Sequence, residues 1–327
     1  MNKNENFISL LTGISLYRDY LMGIAILMVL IYHMLCWVYN PIGEFNIGYV
    51  GVDVFYFLSG YGLSYSYSKN RLNRFYTNRF KRLYPLYFIS VITSFFIIHS
   101  QPVEVLFNNL LTLGYYFDNG INRFDWYIES LFAIYALFPI LYYCGRNLGG
   151  AFLSFLLISL VIYTMNNIEW WYICLMARIP IFMLGISFAN HDAKKFSTTT
   201  IYGLIVVSLL IYYPCFVLVS KFLASSLLVI PIILLALLLL QMLGDKIYFF
   251  LEYVGKHSLE LYLANILLMY TMQACPQSIF IMPFYYVFLQ VLYSWILICV
   301  GRYINLFFNY LDDLLGHVES SNKSLWK

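Results

Sequence analysis

Apolar positions in this chain come in long unbroken runs rather than in alternation. Ten stretches of mostly apolar residues approach the length of about 20 needed to cross a bilayer as a helix. They fall at 17–38, 49–67, 83–99, 126–143, 151–166, 171–189, 199–219, 222–243, 257–273 and 283–309. The run at 151–166 is the shortest of the weak cases. The partly apolar stretch 104–117 is shorter still and carries Glu104, Asn108 and Asn109, so a re-entrant or interfacial segment is expected there. A β-barrel would show a period of two, which these runs lack. The expected fold class is all-α: a polytopic membrane bundle of about ten helices.

Composition strengthens this reading. Of 327 residues, 62% are hydrophobic and 11% charged, against about 45–50% and about 25% in soluble domains. Mean hydropathy is +0.74. The 32 Tyr and 28 Phe suit helices that repeatedly meet the membrane interface. A net charge of +3 is too small to argue for nucleic acid. The six cysteines are scattered without a C-x-x-C pair and read as small apolar fillers. Neither a metal site nor a nucleotide-binding loop is visible, so no bound cofactor is expected.

Charge asymmetry sets the orientation. Lys69, Arg71, Arg74, Arg79, Lys81 and Arg82 place six cations in fourteen residues after the second run. That loop is expected on the cytoplasmic side. With it inside, only Arg123 and Lys221 fall outside, and Arg178 lies within a run. Both termini are then cytoplasmic. The organisation expected is a cytoplasmic segment 1–16, one membrane domain 17–311 and a cytoplasmic tail 312–327 without a fold of its own. The location is a cell membrane, with multiple passes.

Charged groups inside apolar runs are costly and so mark candidate sites. His33 lies in the first run and Asp53 in the second, at depths that agree within about 3 Å if both are helical. A carboxylate beside an imidazole would fix its tautomer and raise its basicity. The alternatives are a packing histidine and an interfacial cap. Gly48, Gly51, Ser59, Gly60 and Gly62 make the second run small, either for close helix packing or to admit a substrate chain. Arg79 and Arg82 are three apart, which puts both guanidinium groups on one helix face suited to phosphate. Arg178 precedes Ile179-Pro180, and Glu129 follows Trp126-Tyr127; each is a candidate partner for the other buried charges. Ser258 and, two turns on, Asn265 stand in the ninth run.

Taken together, these segments resemble acyltransferase family 3. The resemblance rests on Tyr20–Ala25 with Val29–His33, on Gly48–Gly60, on Arg79–Tyr87, on Trp126–Ile128 with Tyr135–Pro139, on Arg178–Gly185 and on Gly255–Leu263. It implies a ten-helix membrane O-acyltransferase that moves an acyl group, most often acetyl from acetyl-CoA, to a hydroxyl of a cell-surface or exported glycan. The family pattern of Arg, ten residues, then His is met at His33. Met22 stands at the arginine position, and Arg18, one turn earlier, is the candidate replacement. Asn265 stands where a histidine is expected. The resemblance implies His33 as general base with Asp53 orienting it, and Arg79, Arg82 and Arg18 as donor-binding residues. Ser59, Trp126, Glu129, Arg178, Ser258 and Asn265 are candidate supporting residues. Expected partners are an acyl-CoA donor, a glycan or lipid-linked saccharide acceptor, membrane lipids and, as an assembly, a homodimer. The competing function is a transporter or flippase for a lipid-linked or small polar substrate. A further alternative is an inactive subunit that organises polysaccharide synthesis.

Overall fold

The computed structural model describes residues 14–39, 47–69, 72–98, 101–117, 124–165, 168–190, 198–240, 242–274 and 283–325. Sixteen helices follow in chain order among them: α1 (Arg18–Tyr39), α2 (Ile47–Lys69), α3 (Leu72–Ile97), α4 (Val103–Leu110), α5 (Gly114–Phe117), α6 (Trp126–Ala136), α7 (Phe138–Cys144) and α8 (Leu148–Thr164). Then come α9 (Trp170–Met176), α10 (Arg178–Asn190), α11 (Thr198–Leu218), α12 (Lys221–Leu227), α13 (Val229–Leu240), α14 (Asp245–Lys256), α15 (Ser258–Ala274) and α16 (Pro283–Leu325). The described residues hold no strand.

Among the described residues, four segments are long and apolar enough to cross a membrane singly: Arg18–Cys36, Phe75–Ile97, Trp170–Asn190 and Pro283–Leu314. Two bent pairs raise the number to six: α6 with α7, bent by 69°, and α12 with α13, bent by 42°. The first bend has a local cause. Pro139 lies at the start of α7 and has no N–H to continue the ladder of α6. Three further runs form α8, the Tyr202–Leu218 part of α11 and the Ser258–Met272 part of α15, all shorter than a full crossing; the second run forms α2, which at 23 residues has the length of a span but is not among the segments apolar enough to be one. The apolar runs are therefore helical, and among the described residues four to six segments meet the length and composition of a span. The run 104–117 becomes two short helices, α4 and α5.

The chain forms two compact units. The first comprises residues up to Arg71 and Gln101–Ser258. Its centre is α2, packed against α1, α10, α12 and α13. Glycine makes these approaches close. A Cβ on Gly51 would lie 2.6 Å from the Ala25 carbonyl oxygen of α1, and one on Gly60 would lie 2.2 Å from the Phe182 oxygen of α10. On α10, a Cβ on Gly185 would lie 2.1 Å from the Phe57 oxygen. The small residues of the second run thus serve helix packing, the first of their two readings. Helix α14 lies against α1 in the same way, through Gly23 and Gly255.

The second unit comprises Leu72–Ser100 and Leu259–Lys327. Helix α16 packs on α3. Lys81 of α3 pairs with Asp312 of α16 at 2.6 Å and sits 5.4 Å from the Phe308 ring. Helix α16 runs on to Leu325, so the segment expected to lack structure is a helical continuation. Asn265 of α15 is buried and donates to Tyr286 Oη at 2.5 Å and to Gln290 Oε1 at 3.1 Å on α16.

Candidate functional site

The centre of the first unit holds a charge pair. Pro180 interrupts the 170–190 apolar run: its missing N–H falls in the first turn of α10, where none is required, and α9 ends just before it. Arg178 thereby becomes the first residue of α10 and is wholly buried. A cation at a helix N-terminus opposes the helix dipole. Asp53 of α2, also wholly buried, offsets it, with Oδ1 3.1 Å from Arg178 Nε.

Three further groups complete the setting. Ser225 Oγ on α12 lies 2.6 Å from Asp53 Oδ2 and 2.8 Å from the Phe222 carbonyl oxygen, so its one proton is shared between two acceptors. Arg178 Nη1 donates to that same Phe222 oxygen at 3.2 Å. The flat face of the guanidinium is covered by aromatic rings: its Cζ is 5.1 Å from the Trp126 ring and 5.8 Å from the Tyr49 ring. Although Nε and Oδ1 are close, they are not aligned as a hydrogen bond, and Nη2 has no oxygen acceptor. The pair is thus held by charge and by the aromatic faces rather than by a bidentate fork. Around it lie Cys174, Ala177, Leu223 and Ala224, all fully buried. In that apolar surround neither charge has water to fall back on.

The depth argument that paired Asp53 with His33 does not survive the structure. Asp53 is joined to Arg178 and Ser225, and His33 is not among its partners. The reason is helix rotation. Gly48 and Gly51 face α1, where Gly48 meets the Tyr32 ring. Asp53 is two residues from Gly51, about 200° further round the helix. It is seven residues from Gly60, about 20° off the same face, and Gly60 meets α10. Asp53 therefore leaves α2 on the side that meets α10, away from the side that meets α1.

His33 is half-buried on α1, and its ring centroid lies 5.7 Å from that of Tyr32. Tyr32 is 5.9 Å from Tyr49, which touches Arg178. A short run of aromatic rings therefore links His33 to the ion pair. Arg18 is half-buried, pairs with Asp19 at 3.7 Å and lies alongside Gly62 of α2. Met22, one turn on, is buried. Glu129 is buried in the first turn of α6, whose N-cap Asp125 accepts from the Ile128 amide at 2.8 Å. Ser59 on α2 and Ser258 at the start of α15 are buried. In the second unit, Arg79 is half-buried with its guanidinium 5.8 Å from the Phe75 ring, and Arg82 is exposed.

The structure thus brings together Asp53, Arg178 and Trp126 from the expected set, and adds Tyr49, Ser225 and the Phe222 carbonyl. Ser225 had no motif to mark it. The usable signal was electrical: Asp53 and Arg178 are opposite charges in apolar runs, and buried charges pair.

A membrane-embedded protein with a buried charge site and a half-buried histidine is compatible with several chemistries. The chain matches the acyltransferase domain model over residues 16–301, which defines the class as membrane acyltransferases. Within that class, the protein belongs to acyltransferase family 3. Neither curated proteins nor solved structures gave a match.

Proposed function

We propose that this acyltransferase moves an acetyl group from acetyl-CoA to a hydroxyl of a cell-surface or exported polysaccharide, and that His33 is its general base. The observation that carries this reading is the single family match that runs through His33, Asp53, Arg79 and Arg82. A sugar hydroxyl is a weak nucleophile near neutral pH and needs a base as it attacks a thioester. The hydroxyl oxygen bonds to the acetyl carbonyl carbon while His33 takes the hydroxyl proton. The tetrahedral intermediate then expels the CoA thiolate, and the imidazolium returns the proton to sulfur. The oxyanion requires hydrogen-bond donors in between.

Asp53 has a different part here from the one its depth suggested. With Arg178 and Ser225 as its partners, it neutralises a buried cation and keeps Tyr49 and Trp126 in place. Its influence on His33 passes through the Tyr49 and Tyr32 rings rather than through a direct hydrogen bond. Arg79 and Arg82 are the phosphate-binding pair on this reading. The fold on this reading has ten membrane helices, both termini in the cytoplasm, and resides in the cell membrane.

The test is His33→Ala. As a general base, His33 contributes about 10²–10⁴ in rate. Acetylation per folded molecule should fall by that factor while CoA binding and helix content hold. A wild-type rate per folded molecule would end the proposal.

A further inference from the structure

A cavity of about 300 Å³ lies in the first unit, and neither Asp53 nor Arg178 is in its lining. Helices α8, α10, α11 and the α12–α13 pair wall it. Its lining is apolar except for Ser208 and Ser226, and the Ser226 hydroxyl already donates to the Leu223 carbonyl at 2.7 Å. It offers a ligand no polar recognition and no catalytic group. Its size is at the lower end of ligand sites, roughly 300–1,000 Å³. Two of its walls, α8 and α11, carry Phe152 and Val207 in the lining and continue into exposed apolar residues such as Leu156 and Leu210. The cavity is therefore an inlet of the protein's lipid-facing surface.

A cation stands close to the lining along the chain. Arg146 stands three residues before Gly149, a lining residue, at the corner between α7 and α8. It is exposed, its guanidinium lies 5.6 Å from the Tyr142 ring, and no acidic side chain among the described residues pairs with it. A tight corner fixes its place: a Cβ on Gly150 would lie 1.9 Å from the Cys144 carbonyl oxygen. An apolar slot with an exposed guanidinium two residues along the chain from its lining residue Leu148 matches an acyl chain joined to a phosphate.

We infer that this cavity binds one acyl chain of an anionic glycerophospholipid from the surrounding bilayer, with its phosphate on Arg146. The bilayer is favoured over a lipid-linked saccharide because the lining carries only Ser208 and Ser226 as polar groups, too few to receive sugars. The site is separate from the proposed acetyl-transfer groups, and it does not depend on that chemistry being right.

The structure supplies the variant that tests it. A Cβ on Gly149 meets no atom within 4 Å, so a side chain there enters open space. Gly149→Phe should occupy the slot without displacing backbone. The full-length protein, extracted into detergent, is incubated with a mixture of phosphatidylglycerol and phosphatidylcholine and analysed by native mass spectrometry. Wild type should retain one phosphatidylglycerol in preference to phosphatidylcholine. Gly149→Phe should lose that lipid while keeping wild-type helix content. Ser208→Phe, which fills the slot from the α11 wall, should do the same and serves should Gly149→Phe misfold. Arg146→Gln should keep a bound lipid but lower the preference for phosphatidylglycerol about fivefold, the effect of one basic residue at a lipid surface. Unchanged lipid retention in both filled variants would overturn the assignment. So would an unchanged preference in Arg146→Gln, or equal displacement by an uncharged single-chain alkyl compound.

Discussion

Removing one member of the Asp53–Arg178 pair should be far worse than removing both. In Asp53→Leu, the Arg178 guanidinium keeps its charge, its aromatic cover and the Phe222 carbonyl, but loses its counter-ion in a site with no exposure. In Arg178→Met, the carboxylate keeps only the Ser225 hydroxyl. Stranding a buried charge costs about 3–5 kcal/mol. The double variant strands nothing: Ser225 retains the Phe222 oxygen at 2.8 Å, which Arg178 no longer occupies. Apolar replacement of a buried pair is often neutral or better. The leucine that replaces Asp53 is larger than a carboxylate side chain, and it fills part of the volume left when methionine replaces Arg178. The double variant should therefore lie above either single in stability, with a coupling of at least about 3 kcal/mol. The assay is reversible unfolding in mixed micelles, followed by helix content, for all four proteins in one lipid–detergent mixture. Losses that simply add would mean that the two residues do not act as a buried pair. Activity separates a second role: if the pair also holds the Tyr49 and Trp126 wall for the reaction, the double variant is stable yet slow.

Three further outcomes are expected. Gln at both Arg79 and Arg82 should weaken CoA binding strongly, read by titration calorimetry, whereas Gln at Arg71 and Arg74 should do much less; equal losses would reduce the segment to a topology signal. Gly185→Ala places a Cβ against the Phe57 carbonyl and should cost about 1–3 kcal/mol in the same unfolding assay; a loss no greater than that of Gly149→Ala, whose Cβ meets open space, would contradict the close packing of α2 and α10. A reporter fused after Lys69 should read cytoplasmic and one fused after Asp118 external, and the reverse at both sites would invert the orientation.

The apolar runs by themselves determined that this chain is helical and membrane-embedded, because 62% hydrophobic residues cannot be covered in water. They also located some helices to within a few residues, as at Arg18–Cys36 and Trp170–Asn190, but missed α14 and the first eleven residues of α3. The order of the motifs was enough to identify the family. Proline alone did not mark the breaks, since Pro139 and Pro180 stand at helix starts while Pro85 and Pro214 lie inside unbroken helices. What the local sequence did not contain was the rotation of one helix against the next. Depth follows from counting residues, and counting alone put His33 and Asp53 near one level. Facing direction depends on which side of α2 meets α1 and which meets α10. That was decided by backbone-to-backbone approach at Gly51 on one side and Gly60 on the other. Ser225 entered the site for the same reason: it is distant in sequence, carries no motif, and is brought to Asp53 by the packing of α12 on α2. Its hydroxyl matters only because the tertiary fold left a carboxylate buried there and in need of a donor.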